Sequence, residues 1–126
     1  MLLKEFYQVN EKITITDNTW KIRLNLNPQH PIYEGHFPQQ PVLPGVGTLQ
    51  IIREVASSLL SIPVQYTQIS SCKFLSAIDP GKTPELELTL TLKEEGNNQW
   101  QVKADGETNG EPFIKLKATL KGRIKN

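Results

Sequence analysis

A single cysteine, Cys72, in 126 residues excludes any internal disulfide framework. It falls in a β-rich run and reads as a small buried hydrophobe rather than a nucleophile. Charge of one sign is also missing. Fourteen Lys and Arg stand against thirteen Asp and Glu, a net +1, so nothing global calls for nucleic acid. No apolar run approaches the roughly 20 residues of a membrane span. Met1-Leu2-Leu3 is followed at once by Lys4 and Glu5, not by a signal-peptide core. These absences predict a cytoplasmic protein with no membrane partner. The hydrophobic share is low at 37%, enough for one small core, the more so if a subunit interface adds buried area. The expectation is one domain over residues 1–126.

What the chain has in excess is proline around one histidine. Tyr33-Glu34-Gly35-His36-Phe37-Pro38-Gln39-Gln40-Pro41-Val42-Leu43-Pro44-Gly45-Val46 holds Pro38, Pro41 and Pro44, each fixing φ and removing a backbone donor. Pro44 suits the first position of a helix, where its missing N–H costs nothing. Gly45 then presents a bare amide at the positive end of the helix dipole. A histidine beside such an end has the parts for proton abstraction next to a polarised carbonyl. The plainer alternative is a stiff loop with a structural histidine. His30, in Asn27-Pro28-Gln29-His30-Pro31, reads as a surface loop residue.

The spacing predicts one long helix from Pro44 to about Leu60, with Val46, Leu49, Ile52, Val55, Ala56 and Leu59 on its apolar face and burial over most of its surface. Ser61-Ile62-Pro63 stops it. Gly47 inside it costs about 1 kcal/mol against alanine; it leaves room for a ligand, a neighbouring backbone or a packed side chain. Elsewhere the period is two. Lys12–Thr16 and Trp20–Leu26 form a hairpin around Asp17-Asn18. Val64–Phe74 is a strand, and Leu86, Leu88, Leu90 and Leu92 alternate with polar residues. Glu94–Asn98 is a turn around Gly96, Trp100–Ala104 a strand and Asp105–Pro112 another turn. Ile114, Leu116, Ala118 and Leu120 close the series. Leu2–Val9 fits a short helix or an irregular lead-in. The sum is α+β: an antiparallel sheet of about six strands wrapped around one helix.

His36-Phe37-Pro38 followed by Pro41-Val42-Leu43-Pro44-Gly45-Val46 at the head of an apolar helix resembles the bacterial 3-hydroxyacyl-acyl-carrier-protein dehydratases of fatty acid synthesis. Cys72-Lys73-Phe74 through Asp79-Pro80-Gly81-Lys82, ahead of an alternating strand, is similar to a second segment of that family. The resemblance implies the hotdog fold and dehydration of a (3R)-hydroxyacyl thioester to the trans-2-enoyl thioester, without metal or redox cofactor. It implies His36 as acid/base, the Gly45 amide as holder of the thioester carbonyl, with Val46 and Phe37 in substrate binding. A carboxylate on the partner subunit's central helix completes such a site. The protein is therefore expected to be a homodimer or a trimer of dimers, acting on an acyl carrier protein or coenzyme A thioester.

Two positions depart from that pattern. Fourteen residues after the histidine, where the family has its carboxylate, this chain has Gln50. One turn on, where the family usually has glutamine, stands Glu54. Positions i and i+4 share a helix face about 6 Å apart along the axis. Glu54 is thus the expected general acid and Gln50 the group that orients the hydroxyl. The alternatives are a Glu54 turned to the surface beside Arg53, and a non-catalytic thioester-binding protein or heterodimer subunit. A thioesterase ranks third. The basic row Lys115, Lys117, Lys121, Arg123 and Lys125 reads as a solvated strand face, or as a carrier-protein docking face.

Overall fold

Apolar and polar residues alternate along most strands, so each can bury one face and wet the other. The computed structural model describes residues 5–34 and 41–123. Its elements run β1 (Tyr7–Thr14), β2 (Thr19–Leu26), a short 3-10 turn (Pro31–Tyr33), α1 (Gly45–Leu60), β3 (Val64–Phe74), β4 (Glu85–Gly96), β5 (Gln99–Thr108) and β6 (Glu111–Gly122). The strands form one antiparallel sheet in the order β1-β2-β4-β5-β6-β3. This is the expected hotdog arrangement, with β1 and β3 at the two edges.

The inner face carries the predicted ladders. Leu86, Leu88, Leu90 and Leu92 of β4 are buried, as are Leu116, Ala118 and Leu120 of β6. Each buried leucine contributes about 1.5–3 kcal/mol relative to exposure. Against them α1 lays Gly47, Thr48, Ile51, Ile52, Val55 and Ala56. Gly47 is a packing residue: a Cβ there would lie 3.0 Å from the ring of the fully buried Phe6.

Several boundaries differ from the sequence reading. β1 begins at Tyr7, because its partner Leu26 extends the β1–β2 ladder back through the undecided segment. Pro44 is the cap before the helix, not its first residue, at φ −65° and ψ 144°. Val46 is not on the buried face but 74% exposed. The helix as a whole is buried only toward the sheet, and Gln50, Arg53, Glu54 and Ser57 are only partly covered. The supposed turn Asp105–Pro112 is mostly strand. Gly106 lies within β5 because Phe113 and Ile114 occupy the space of its side chain, 2.7–2.8 Å from an added Cβ. The turn itself is Asn109-Gly110, both at positive φ (51° and 78°). The β4–β5 turn likewise sits on Asn97-Asn98, at φ 53° and 61°, one step past Gly96. No helix among the described residues is long and apolar enough to cross a membrane.

Candidate active site

The helix start is built from outside inward. The Leu43 amide donates to the Ile78 carbonyl at 2.9 Å, tying the lead-in to the segment before β4. The Pro44 carbonyl accepts from the amides of Gly47 and Thr48 at 2.9 and 3.2 Å. Gly45 and Val46 precede the first intrahelical bond, so their N–H groups have no partner within the helix. Among the described residues no side chain caps this end, and no acid stands in the helix's first turn, so the positive end of the dipole favours a polar or negative group there. The ring of Phe74, at the end of β3, covers Gly45 so closely that a Cβ would fall 2.8 Å from it. Phe74 is itself 53% exposed. Val42, Val46 and Leu75 are exposed as well.

One turn along, the exchanged pair meets. The Gln50 amide nitrogen donates to Glu54 Oε2 at 2.7 Å, and the Tyr7 hydroxyl donates to Glu54 Oε1 at 2.8 Å. Both carboxylate oxygens thus have a donor. The Tyr7 phenol is pushed up far above its usual range, first by burial and then by its bond to Glu54. Tyr7, Glu54, Val55, Ser58 and Leu59 help to line a cavity of about 200 Å³ between β1, β2 and the helix. Arg53 does not pair with Glu54; it donates to the Val64 carbonyl at 3.2 Å. Beneath Gln50, the Tyr66 hydroxyl donates to the Leu49 carbonyl at 2.8 Å, and burial raises that phenol too.

The structure therefore brings Gly45, Val46, Gln50 and Glu54 onto one helix, with the last two in contact. His36 and Phe37 lie outside the described residues. Tyr7 was missed in the sequence; its only signal was a tyrosine inside an unassigned lead-in. His30 is more than a surface residue. Its Nδ1 accepts from the Ile32 amide at 3.1 Å, capping the 3-10 turn, and its ring meets Phe6 edge-on at 5.2 Å. That turn ends at Tyr33, whose hydroxyl is buried with no hydrogen-bond partner among the described residues and whose pKa burial pushes up to about 12. Burial also raises the Cys72 thiol, as befits a packing residue. Among the described residues no cluster of His, Cys, Asp and Glu could hold a metal ion. A concavity of about 610 Å³ lies on the outer sheet face among Glu11, Arg23, Glu87 and Glu107. Its lining is mainly charged and polar, unlike the apolar surface an acyl chain needs.

A six-stranded antiparallel sheet packed on one helix defines a hotdog-fold protein. Within that class the chain belongs to the ApeI-like family: residues 12–111 match the family described as ApeI-like, ApeI dehydratase. Among curated proteins it is similar to the 3-hydroxyacyl-acyl-carrier-protein dehydratase FabZ of Jannaschia sp., 29% identical over 69% of this chain and 60% of that protein. The FabZ of Alkaliphilus metalliredigens is 30% identical over 64% of this chain and 59% of its own length. The matched stretch thus spans about three fifths of these relatives. Among solved structures, the dehydratase heterocomplex ApeI:P from Xenorhabdus doucetiae superposes with a TM-score of 0.75 at 24% identity, covering 92% of this chain and 97% of that one. A hypothetical thioesterase with coenzyme A from Streptococcus pneumoniae gives 0.63 at 12% identity, covering 94% of this chain and 88% of its own. Both likenesses concern the fold.

Proposed function

We propose that this chain is a hydro-lyase that removes water from a (3R)-3-hydroxyacyl thioester, as a homodimer whose sites each use both subunits. The observation that carries the reading is the Gln50–Glu54 contact of 2.7 Å, one turn along the helix that opens with the Gly45 and Val46 amides. The thioester carbonyl accepts hydrogen bonds from the Gly45 and Val46 amides. That placement stabilises the negative charge developing on oxygen as the α C–H bond breaks. His36 takes the α-proton; a neutral imidazole with an unperturbed pKa near ~6.5 is a competent base at neutral pH. Glu54 of the second subunit gives a proton to the β-hydroxyl, with Gln50 orienting that group. The β C–O bond breaks, the Cα–Cβ double bond forms and water leaves. The His36 proton returns to Glu54 through solvent, so no oxidant, reductant or metal is consumed. Phe37, Phe74 and the exposed Val42 and Val46 supply apolar surface for the acyl chain.

The test is turnover of a 3-hydroxyacyl thioester, followed by formation of the conjugated enoyl product. Wild type is expected to form it, and His36→Ala and Glu54→Gln to lose about 10²–10⁴-fold, the usual worth of a positioned acid or base. Enoyl formation at background by wild type sinks the reading. Release of free acid and thiol instead identifies a thioesterase. One observation favours a second reading, a thioester-binding subunit of a heterodimer: both Glu54 oxygens already have donors. The ApeI:P structure is itself a heterocomplex. Activity that arises only on addition of a second hotdog chain selects this alternative.

A further inference from the structure

Each turnover of the proposed reaction leaves Glu54 without a proton and His36 with one. The acid has to be recharged from solvent before the next substrate reacts. Two features of the structure bear on the route. First, both carboxylate oxygens already have a donor, Gln50 on Oε2 at 2.7 Å and Tyr7 on Oε1 at 2.8 Å. Of these two groups only the hydroxyl can hand a proton on. It carries one proton and two acceptor lone pairs, so it can accept on one side while it gives on the other, whereas a side-chain amide keeps its protons. Second, the cavity of about 200 Å³ between β1, β2 and the helix adjoins both Tyr7 and Glu54. Ile22 and Val55 give it apolar walls, but Tyr7, Lys12, Glu54 and Ser58 line it too. A purely apolar void stays dry, while one that offers a water about two to four polar partners holds it. The cavity also reaches the surface at the edge strand β1, where Lys12 is exposed and the lining residue Val9 is 45% exposed. The basic row of β6 does not enter it, and the Lys125 of that row lies outside the described residues.

We propose that this cavity is a water-filled proton path that recharges Glu54, with the Tyr7 hydroxyl as its last step. A proton from cavity water moves onto the Tyr7 oxygen as the proton of that hydroxyl moves onto Glu54 Oε1. One O–H bond of the phenol breaks, another forms, and the carboxylate becomes a carboxylic acid. The phenol is neutral before and after. That suits a hydroxyl whose ionisation is pushed far above the usual range, first by burial and then by its bond to Glu54. A turn of the carboxyl about its last side-chain bond then presents the proton to the substrate hydroxyl on the Gln50 side. His36 releases its own proton to solvent, so the cycle closes with no net gain or loss of protons. Tyr7 touches no substrate in this scheme; it acts through Glu54 as a relay.

This inference rests on the dehydratase reading above, and the two fail in different ways. Tyr7→Phe removes the relay hydroxyl and keeps the ring. Val9→Trp puts bulk at the cavity mouth, on a half-exposed residue outside the proposed catalytic machinery. Turnover of 3-hydroxyacyl N-acetylcysteamine thioesters of several chain lengths is followed by enoyl formation. It is measured at one pH and ionic strength over a series of concentrations of imidazole, a small proton donor, and of Bis-Tris, a bulkier one. The expected result for Tyr7→Phe is a kcat about tenfold below wild type with KM little changed, recovering about threefold or more in imidazole but not in Bis-Tris. Wild type should respond to neither buffer. Val9→Trp should lower kcat by about threefold or more, alike on every chain length. A Tyr7→Phe kcat equal to wild type overturns the proposal. So does a loss that imidazole does not relieve, which leaves Tyr7 as an orienting donor only. A Val9→Trp loss confined to the longer chains overturns it too and gives the cavity to the acyl tail; no loss at all removes the cavity from the path. Should Val9→Trp not fold, the buffer response of Tyr7→Phe decides alone. If wild type forms no enoyl product, the dehydratase reading falls and this inference with it. Active wild type beside an unresponsive Tyr7→Phe sinks the inference and leaves the reading standing.

Discussion

Three tyrosines show how much the setting of one hydroxyl matters. Tyr66 and Tyr7 are both partly buried, and both spend their proton on an acceptor, the Leu49 carbonyl and Glu54. Tyr33 is buried, and its proton meets no acceptor among the described residues. An unsatisfied buried donor costs about 1–3 kcal/mol, so Tyr33→Phe is expected to stabilise the protein by about 1 kcal/mol, read from denaturant midpoints. The pH dependence follows with a definite sign. Tyr33 ionises at about 12 when folded and at about 10 when unfolded, so the unfolded chain loses its proton first. Its contribution is fully present below pH ~10 and declines as pH rises toward ~12. Tyr33→Phe should flatten that decline, and an unchanged slope would assign it to other groups. Tyr7 makes the opposite case. Tyr7→Phe removes one of the two donors on Glu54 and frees the carboxylate to rotate away from Gln50. If the pair works as a unit, kcat falls about tenfold with KM little changed. A matching loss in both parameters, or in neither, separates Tyr7 from the chemistry.

At the scale of the element, the strands whose inner faces are aliphatic were legible almost residue for residue. Leu86 to Leu92 and Ile114 to Leu120 alternate, and a period of two has no helical reading. What failed was glycine. Gly106 resembled turn chemistry, yet it marks the place where Phe113 and Ile114 press on β5. The sequence cannot separate these uses, because both need only the absence of a side chain. Gly106→Ala is expected to cost about 1–3 kcal/mol by overpacking, measured as a lowered melting point without loss of the fold. The helix was legible as a helix, but Val46 was misplaced. Its spacing fits the apolar face, while the sheet covers only the side that carries Ile51, Ile52, Val55 and Ala56. Of the candidate site, the helix pair was legible and the strand residue was not. Gln50 and Glu54 could be put in reach of one another from i, i+4 geometry alone. Tyr7 could not, since it arrives from a strand whose register depends on Leu26 and the rest of β2.

For the whole molecule the decisive feature is the β3 edge. β3 pairs only with β6, and Ile69, Phe74 and Leu75 on and beside it are 43–53% exposed. An open edge strand with apolar side chains invites pairing and is normally blunted or covered. Val42 and Val46 continue the apolar surface to the helix amides. A second copy that covers this region would meet the start of the helix at Gly45 and Val46. Two variants expected to be inactive test that arrangement without breaking the interface. His36→Ala keeps a sound Glu54, and Glu54→Gln keeps a sound His36. In a twofold dimer whose sites take one group from each subunit, the mixed dimer contains one intact site and one doubly damaged one. Random exchange makes half the dimers mixed, so the mixture should recover about a quarter of wild-type activity. Sedimentation of each variant as a dimer guards against misfolding as the cause of inactivity. Recovery near zero from dimers shown to exchange subunits would put both groups in one chain, and the site would then have to close within a single protomer.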